Sequence, residues 1–225
     1  MKIGIIVAME EELAPLLEQL NTELVDSRKK IEVRTGSYHR HDLIIVHCGI
    51  GKVNASIGAS ILLENYQVDL VINYGAVGSL SDTLAIGDVI YVDNFTYHDA
   101  DATVFGYVKG QIPQMPASYS ADVSKYVIDV ETAYKVDIGH LVTSDSFYAD
   151  DYKIKEVKQH FPEAVILDME AAAIAQTISY RDYELLSIKS VSDRAGASAD
   201  EAFNDNLALS AKNVTDAVLK TLASL

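Results

Sequence analysis

The segment AVILDMEAAAIAQTISYRDYELLSIKS, residues 164–190, runs from an apolar strand through an alanine-rich helix into a second apolar strand. Ala164 to Leu167 and Glu184 to Ser190 are short apolar runs without clean period-two alternation, as expected of strands covered on both faces. Glu170 to Tyr180 between them reads as a helix. Such a unit specifies a sheet with helices packed on it.

Outward from this unit the same rhythm recurs. Further strand-like runs are Lys2 to Ala8, Leu43 to Cys48, Asp69 to Asn73, Asp88 to Val92 and Gly139 to Thr143. Helical stretches are expected at Glu10 to Leu20, Lys52 to Tyr66, Ala121 to Tyr134, Asp150 to His160 and Glu201 to Leu225. In the last of these Phe203, Leu207, Ala211, Val214, Val218, Leu222 and Leu225 step by three or four, and Ser198 with Glu201 reads as a capping box. That helix should close against the sheet. The alternation predicts a three-layer α/β domain with a largely parallel sheet, spanning residues 1–225 as one domain. One segment departs from it: Ile31 to Cys48 reads as an antiparallel hairpin turning at Ser37 to His41. The longest irregular stretch, Asp93 to Ser120, is of the kind that serves function or an interface.

Composition narrows the partners. With 18 Lys and Arg against 33 Asp and Glu, the chain carries a formal charge of −15. That charge repels nucleic acid and anionic membranes. Lys2 followed by the apolar run Ile3 to Met9 is too short for a signal peptide and meets Glu10, Glu11 and Glu12 directly. No apolar run approaches the roughly 18 residues of a membrane span. The single cysteine, Cys48, allows no disulfide framework, and a reducing cytoplasm fits.

Several motifs fail on spacing. Gly49-Ile50-Gly51-Lys52 has neither the glycine spacing nor the hydroxyl residue of a phosphate loop, and Asn54 replaces the third glycine of a dinucleotide fingerprint. Gly75 and Gly78, beyond the strand Asp69 to Asn73, permit close backbone approach and fit a ligand floor or a plain turn. His39-Arg40-His41 and His98-Asp99-Ala100-Asp101 lack companions for a metal shell, so neither a metal nor another cofactor is expected. No Gly-x-Ser-x-Gly elbow supports a nucleophilic serine.

Carboxylates at strand ends remain: Glu12 after the first strand, Asp168 and Glu170 around Met169, and Asp193 after the strand ending near Ser190. In open α/β sheets such positions line the ligand crevice. Acidic residues also stabilise helix N-termini, by about 0.3 to 1 kcal/mol each, which accounts for any one of them without chemistry. Their joint occurrence, with no better nucleophile, favours acid–base work.

The stretches IGIIVAMEEE from Ile3, GIGKVNA from Gly49, INYGAVGSL from Ile72, YHDADATVFGYVKGQIP from Tyr97, LDMEAAAIA from Leu167 and SVSD from Ser190 occur in this order along essentially the whole chain. In them the sequence resembles the methylthioadenosine/S-adenosylhomocysteine nucleosidases of the nucleoside phosphorylase-like superfamily. The resemblance implies an α/β/α sandwich around a mixed, strongly twisted sheet, assembled as a homodimer. It also implies hydrolysis of the bond joining adenine to a 5′-thio-substituted ribose. Matched position by position, Asp193 would be the acid that protonates adenine, Glu12 the base that activates water, and Glu170 the group that binds the ribose hydroxyls. Met9 and Met169 would flank the ribose, Phe147 would stack on adenine, the Tyr148 backbone would meet its edge, and Gly78 would admit the ligand. Ile50, with Phe105 and Pro113 from the neighbouring subunit, would enclose the alkylthio tail.

Two positions depart from the pattern. Ala76 stands where a serine is usual and Lys189 where an arginine is usual. A missing buried hydroxyl costs roughly 1 to 3 kcal/mol, and lysine lacks a bidentate fork. Three alternatives therefore stand beside the nucleosidase: an attenuated or inactive nucleoside-binding homodimer of the same fold, a hydrolase of another purine nucleoside, and a phosphorylase. The last would need a cationic phosphate pocket, yet none of the arginines, at 28, 34, 40, 181 and 194, lies in a glycine turn.

Overall fold

The computed structural model describes residues 1–128 and 130–225. In chain order the elements are β1 (Lys2–Val7), α1 (Glu10–Gln19), β2 (Thr22–Arg28), β3 (Ile31–Tyr38), β4 (His41–His47), α2 (Lys52–Asn65) and β5 (Leu70–Ser79). They continue as β6 (Val89–Tyr97), β7 (Tyr119–Ser120), β8 (Val136–Thr143), α3 (Asp151–His160), β9 (Ala164–Asp168), α4 (Ala171–Ser179), β10 (Leu185–Arg194) and α5 (Ala199–Ser224). The strands form one sheet between two helical layers. Ile3, Ile5 and Val7 of β1 pack with Leu13 and Leu16 of α1 and Val214, Val218 and Leu222 of α5. Ile6 points the other way, into the cluster of Ala55, Ala59 and Leu62 of α2 and the alanines of α4. Gly4 and Gly58 let α2 lie close to the sheet: a Cβ on either would come within 2.5 Å of Leu62 Cδ2 or Cys48 Cβ.

The sheet is mixed, not largely parallel. β5 is parallel to β1 along its first half and antiparallel to β9 at Gly78 and Ser79, with β10 running parallel along its other edge. β10 pairs antiparallel with β6, and β6, β8 and β9 follow in parallel. Strands β5, β10, β6, β8 and β9 thus close a circuit, while β1, β4, β3 and β2 extend from it to an open edge. The expected hairpin is present as β3 and β4, and β2, unexpected from the sequence, extends it to a three-stranded antiparallel meander. Its residues are mostly exposed, so it carries little of the apolar patterning that marks a strand.

Four local expectations need correction. The helix expected at Ala121 to Tyr134 does not form among the described residues, and Asp129 lies outside them; the segment is made of turns, opened by Asp122 accepting from Ser124 N and Oγ. Val123 and Tyr126 are buried there as packing residues of a loop. Ser198 forms no capping box, because it takes φ 65° with no side-chain cap. Phe203 does not pack on the sheet: after Ala199, the buried residues of α5 run from Ser210 onward. At the hairpin tip His39 takes φ 51°, whereas His41 turns inward and is buried.

Candidate active site

Glu12 is the third residue of α1, and its buried carboxylate accepts from Met9 N at 3.1 Å and Ala76 N at 2.7 Å. Gly75 must lack a side chain, since a Cβ there would come within 2.6 Å of Glu12 Oε1. The glycine-bearing stretch 75–78 is therefore neither turn nor loop: it is the second half of β5, running past the carboxylate it anchors.

Asp193 is held within β10 by an irregularity. Val191 pairs with Val77 and Asp193 with Gly78, so Ser192 is an extra residue bulged out of the ladder. A bulge bends its strand and re-aims the side chains beside it. Ser192 Oγ donates to Asp193 Oδ2 at 2.8 Å. Because Asp193 lies in a strand, favourable contact with a helix N-terminus does not account for it.

Asp168 and Glu170 divide the two roles that the sequence left open. Asp168 serves the helix: it accepts from Ala171 N at the start of α4 at 3.0 Å. Glu170, the residue before α4, caps nothing with its side chain and accepts instead from Gly51 N at 2.8 Å. Gly51 precedes α2 at φ 97°, so this helix N-terminus is already occupied by the protein's own carboxylate.

Lys189 lies behind these groups. Its Nζ is 3.0 Å from Asp168 Oδ2, with both side chains almost wholly buried. Thr143 Oγ1 donates to Asp168 Oδ1 at 2.6 Å, and a single contact from Lys189 completes the set. A monodentate cation thus suffices where a fork was expected. Ala76, lacking a hydroxyl, contributes its backbone N–H to Glu12. Neither departure leaves one of these carboxylates without its anchors.

Burial raises the Glu12 carboxyl above its ordinary value, against the lowering effects of Ala76 N–H and Lys189. Burial also raises Glu170, reinforced by Asp168, and raises Asp193 against the hydrogen bond from Ser192. Burial works against the Lys189 charge too, but Asp168, Glu170 and Glu12 outweigh it and hold the ammonium above its ordinary value. The folded state therefore binds the Glu170 proton more tightly than the unfolded chain does. Its stability contribution falls as pH rises from 4.5 through the raised value. Glu170→Gln keeps an acceptor for Gly51 N and removes this titration. The variant should gain thermal stability over the parent between about pH 5 and pH 8, by roughly 2 to 4 °C in Tm per kcal/mol recovered. Melting curves across that range check it, and a difference independent of pH would contradict it.

Met9, Glu12, Ile50, Ala76, Gly78, Phe147, Tyr148, Met169, Glu170 and Asp193 all line one cavity of about 420 Å3. This is the size of a small-molecule site. Phe105 and Pro113 lie outside it, and Phe105 is 80% exposed. The sequence reading missed Ser192, Asp200, Phe203 and Asn204, which also line the cavity. Phe203 meets Phe147 edge to face at 5.8 Å, and only its early place on α5 hinted that it leaves the core. Among the described lining residues there is no Lys or Arg.

The sequence pattern of the Phosphorylase superfamily matches residues 2–223. A 5′-methylthioadenosine/S-adenosylhomocysteine nucleosidase of a Geobacillus species is 39% identical over 100% of this chain and 99% of its own. The Neisseria meningitidis nucleosidase of that name, solved in complex with methylthio-immucillin-A, superposes with a TM-score of 0.95 at 33% identity, covering 100% and 99% of the two chains. The Streptococcus pneumoniae MTA/SAH nucleosidase in complex with 8-aminoadenine gives 0.94 at 36% identity, with both chains wholly covered.

Proposed function

Because the chain belongs to the phosphorylase superfamily, and within it to the methylthioadenosine/S-adenosylhomocysteine nucleosidases, we propose that its cavity hydrolyses the N-glycosidic bond of these two nucleosides. The observation that carries the reading is the convergence of Glu12, Glu170 and Asp193 on one cavity whose described lining holds no cationic side chain. Cleavage leaves positive charge on the sugar and negative charge on the departing purine. Asp193, whose hold on its proton is strengthened by burial, gives that proton to the five-membered ring of adenine as the bond from ribose C1′ to adenine nitrogen breaks. Glu12 takes a proton from water as the water oxygen bonds to C1′. The ribose hydroxyls donate to Glu170 and so favour its ionised form, which stabilises the growing positive charge on the ring. Met9 and Met169 wall off water, and Phe147 stacks on the base.

A phosphorylase would need a cationic seat for phosphate. The N-terminus of α2, beside the site, is instead taken by Glu170. Incubation of the purified protein with methylthioadenosine should release adenine and methylthioribose at a rate indifferent to added phosphate. No adenine at high enzyme concentration would overturn the reading. An active enzyme should also bind a cationic ribose mimic at least a hundredfold more tightly than the nucleoside.

The working unit in this proposal is a homodimer, with Phe105 and Pro113 closing the neighbour's tail pocket. The sheet side of helix α2 carries Ala55, Ala59 and Leu62, while Val53 and Ile57 are exposed, Val53 by 69%. Neighbouring exposed apolar side chains mark an interaction surface. Lys52 ties α2 to the long loop through Asp99 at 2.7 Å, and that loop exposes Val104, Phe105 and Val108. Val53→Glu should therefore convert dimer to monomer in light scattering and raise KM for methylthioadenosine about tenfold, a loss of about 1.4 kcal/mol. A monomeric parent would refute the arrangement.

A further inference from the structure

His98 lies one residue beyond β6, outside the cavity and 8% exposed. Its backbone N–H donates to Thr143 O at 2.8 Å. Its Nδ1 is 3.0 Å from Tyr148 Oη, and Nε2 has no partner among the described residues. The imidazole meets Tyr148 and Phe161 edge-on, at 5.3 and 5.8 Å between ring centres. Burial lowers its affinity for a proton and so keeps it neutral.

Tyr148 is bound at both ends. Its hydroxyl is held by His98, and its carbonyl accepts from Gly196 N at 3.1 Å. Gly196 stands three residues after Asp193 at φ 121°, where a Cβ would come within 2.5 Å of Asp151 Oδ1. The same Asp151 oxygen accepts from Ala197 N at 2.9 Å. The chain that follows the acid therefore rests on the segment that borders adenine, and Tyr148 is the join between them.

We propose that His98 is a positioning residue for proton transfer: through Tyr148 it fixes the distance between the adenine-bordering segment and the Asp193 carboxyl. This rests on the nucleosidase reading, in which Asp193 protonates the base. A histidine that only filled space beside Phe161 would be replaceable by Phe. One that sets a donor distance would not be, since a misplacement of about 1 Å costs up to a hundredfold in rate.

The test uses His98→Phe, Tyr148→Phe, the double variant and His98→Asn, each assayed on two substrates. Methylthioadenosine needs a proton on its leaving group, whereas a para-nitrophenyl methylthioriboside releases a phenolate without one. Each Phe variant should lose about tenfold to a hundredfold in kcat on methylthioadenosine, at least ten times more than on the aryl riboside. The double variant should be no slower than the slower single, because both remove one bond. His98→Asn, which keeps a hydrogen-bonding group near the Nδ1 position, should recover most of kcat. Equal losses on the two substrates, additive losses, or a parental kcat in Tyr148→Phe would each overturn the role. Adenine release by the parent enzyme separates the two readings. With it intact, those outcomes remove only the role of His98; without it, the nucleosidase reading and this role fall together.

Discussion

Asp193→Asn is expected to lower kcat on methylthioadenosine by about a hundred- to ten-thousandfold, the usual share of a general acid, and to erase the alkaline limb of the pH–rate profile. Asparagine has the same shape and still accepts from Ser192 Oγ, so the bulge in β10 has no reason to change. What it lacks is a proton to give. In the parent, burial disfavours the charged carboxylate and strengthens its hold on that proton, so activity should fall as pH rises through the raised value. The loss on an aryl riboside, whose leaving group needs no proton, should be at least tenfold smaller. Equal rates for parent and variant on methylthioadenosine would remove Asp193 from the mechanism.

Glu12→Gln should cost a similar factor, about a hundred- to ten-thousandfold in kcat, but on the opposite limb. Glu12 must be ionised to accept the water proton, so activity in the parent falls as pH drops through its value, which lies above 4.5. Two backbone donors and the Lys189 charge favour the ionised form, against the larger effect of burial. Glutamine can accept from Ala76 N or Met9 N but turns an amide donor toward the other, for roughly 1 to 3 kcal/mol. Removal of the buried charge offsets part of that cost. Disappearance of the acid limb, with a cationic ribose mimic still bound, would identify the base. Retention of the limb would assign it to another group.

Most strands and helices were legible because each is apolar and bounded by turn residues. The strand, helix and strand read from Ala164 to Ser190 appear as β9, α4 and β10 within a few residues of the expected ends, but β9 runs antiparallel and β10 parallel to β5, so α4 joins strands of opposite direction. β2 was not legible, since an exposed edge strand such as TELVDSR gives no burial pattern. Nor was the absence of a helix beyond Ala121, where apolar spacing suited to a helix is satisfied by a loop folded over the sheet. For the site, Glu12, Glu170 and Asp193 could be named, but local sequence could not separate Glu170 from Asp168. Only the fold shows that one carboxylate meets α4 and the other reaches across to Gly51. The bulge at Ser192 and the burial of Lys189 against Asp168 depend on pairings between distant strands, which no local window contains.

The closed circuit of strands governs when this cavity exists at all. β10 joins β5 by setting Leu185 beside Val71 and Asp193 beside Gly78, and β9 meets the same strand across Gly78 and Leu167. Pairings between such distant segments are intrinsically slow to form. Asp193, Glu170 and Glu12 arrive on three segments that meet only once that ring is shut. During refolding from denaturant, helical signal should therefore return before adenine release does. A chain trapped short of closure would be a structured protein without a catalytic centre, and not a slower version of the enzyme.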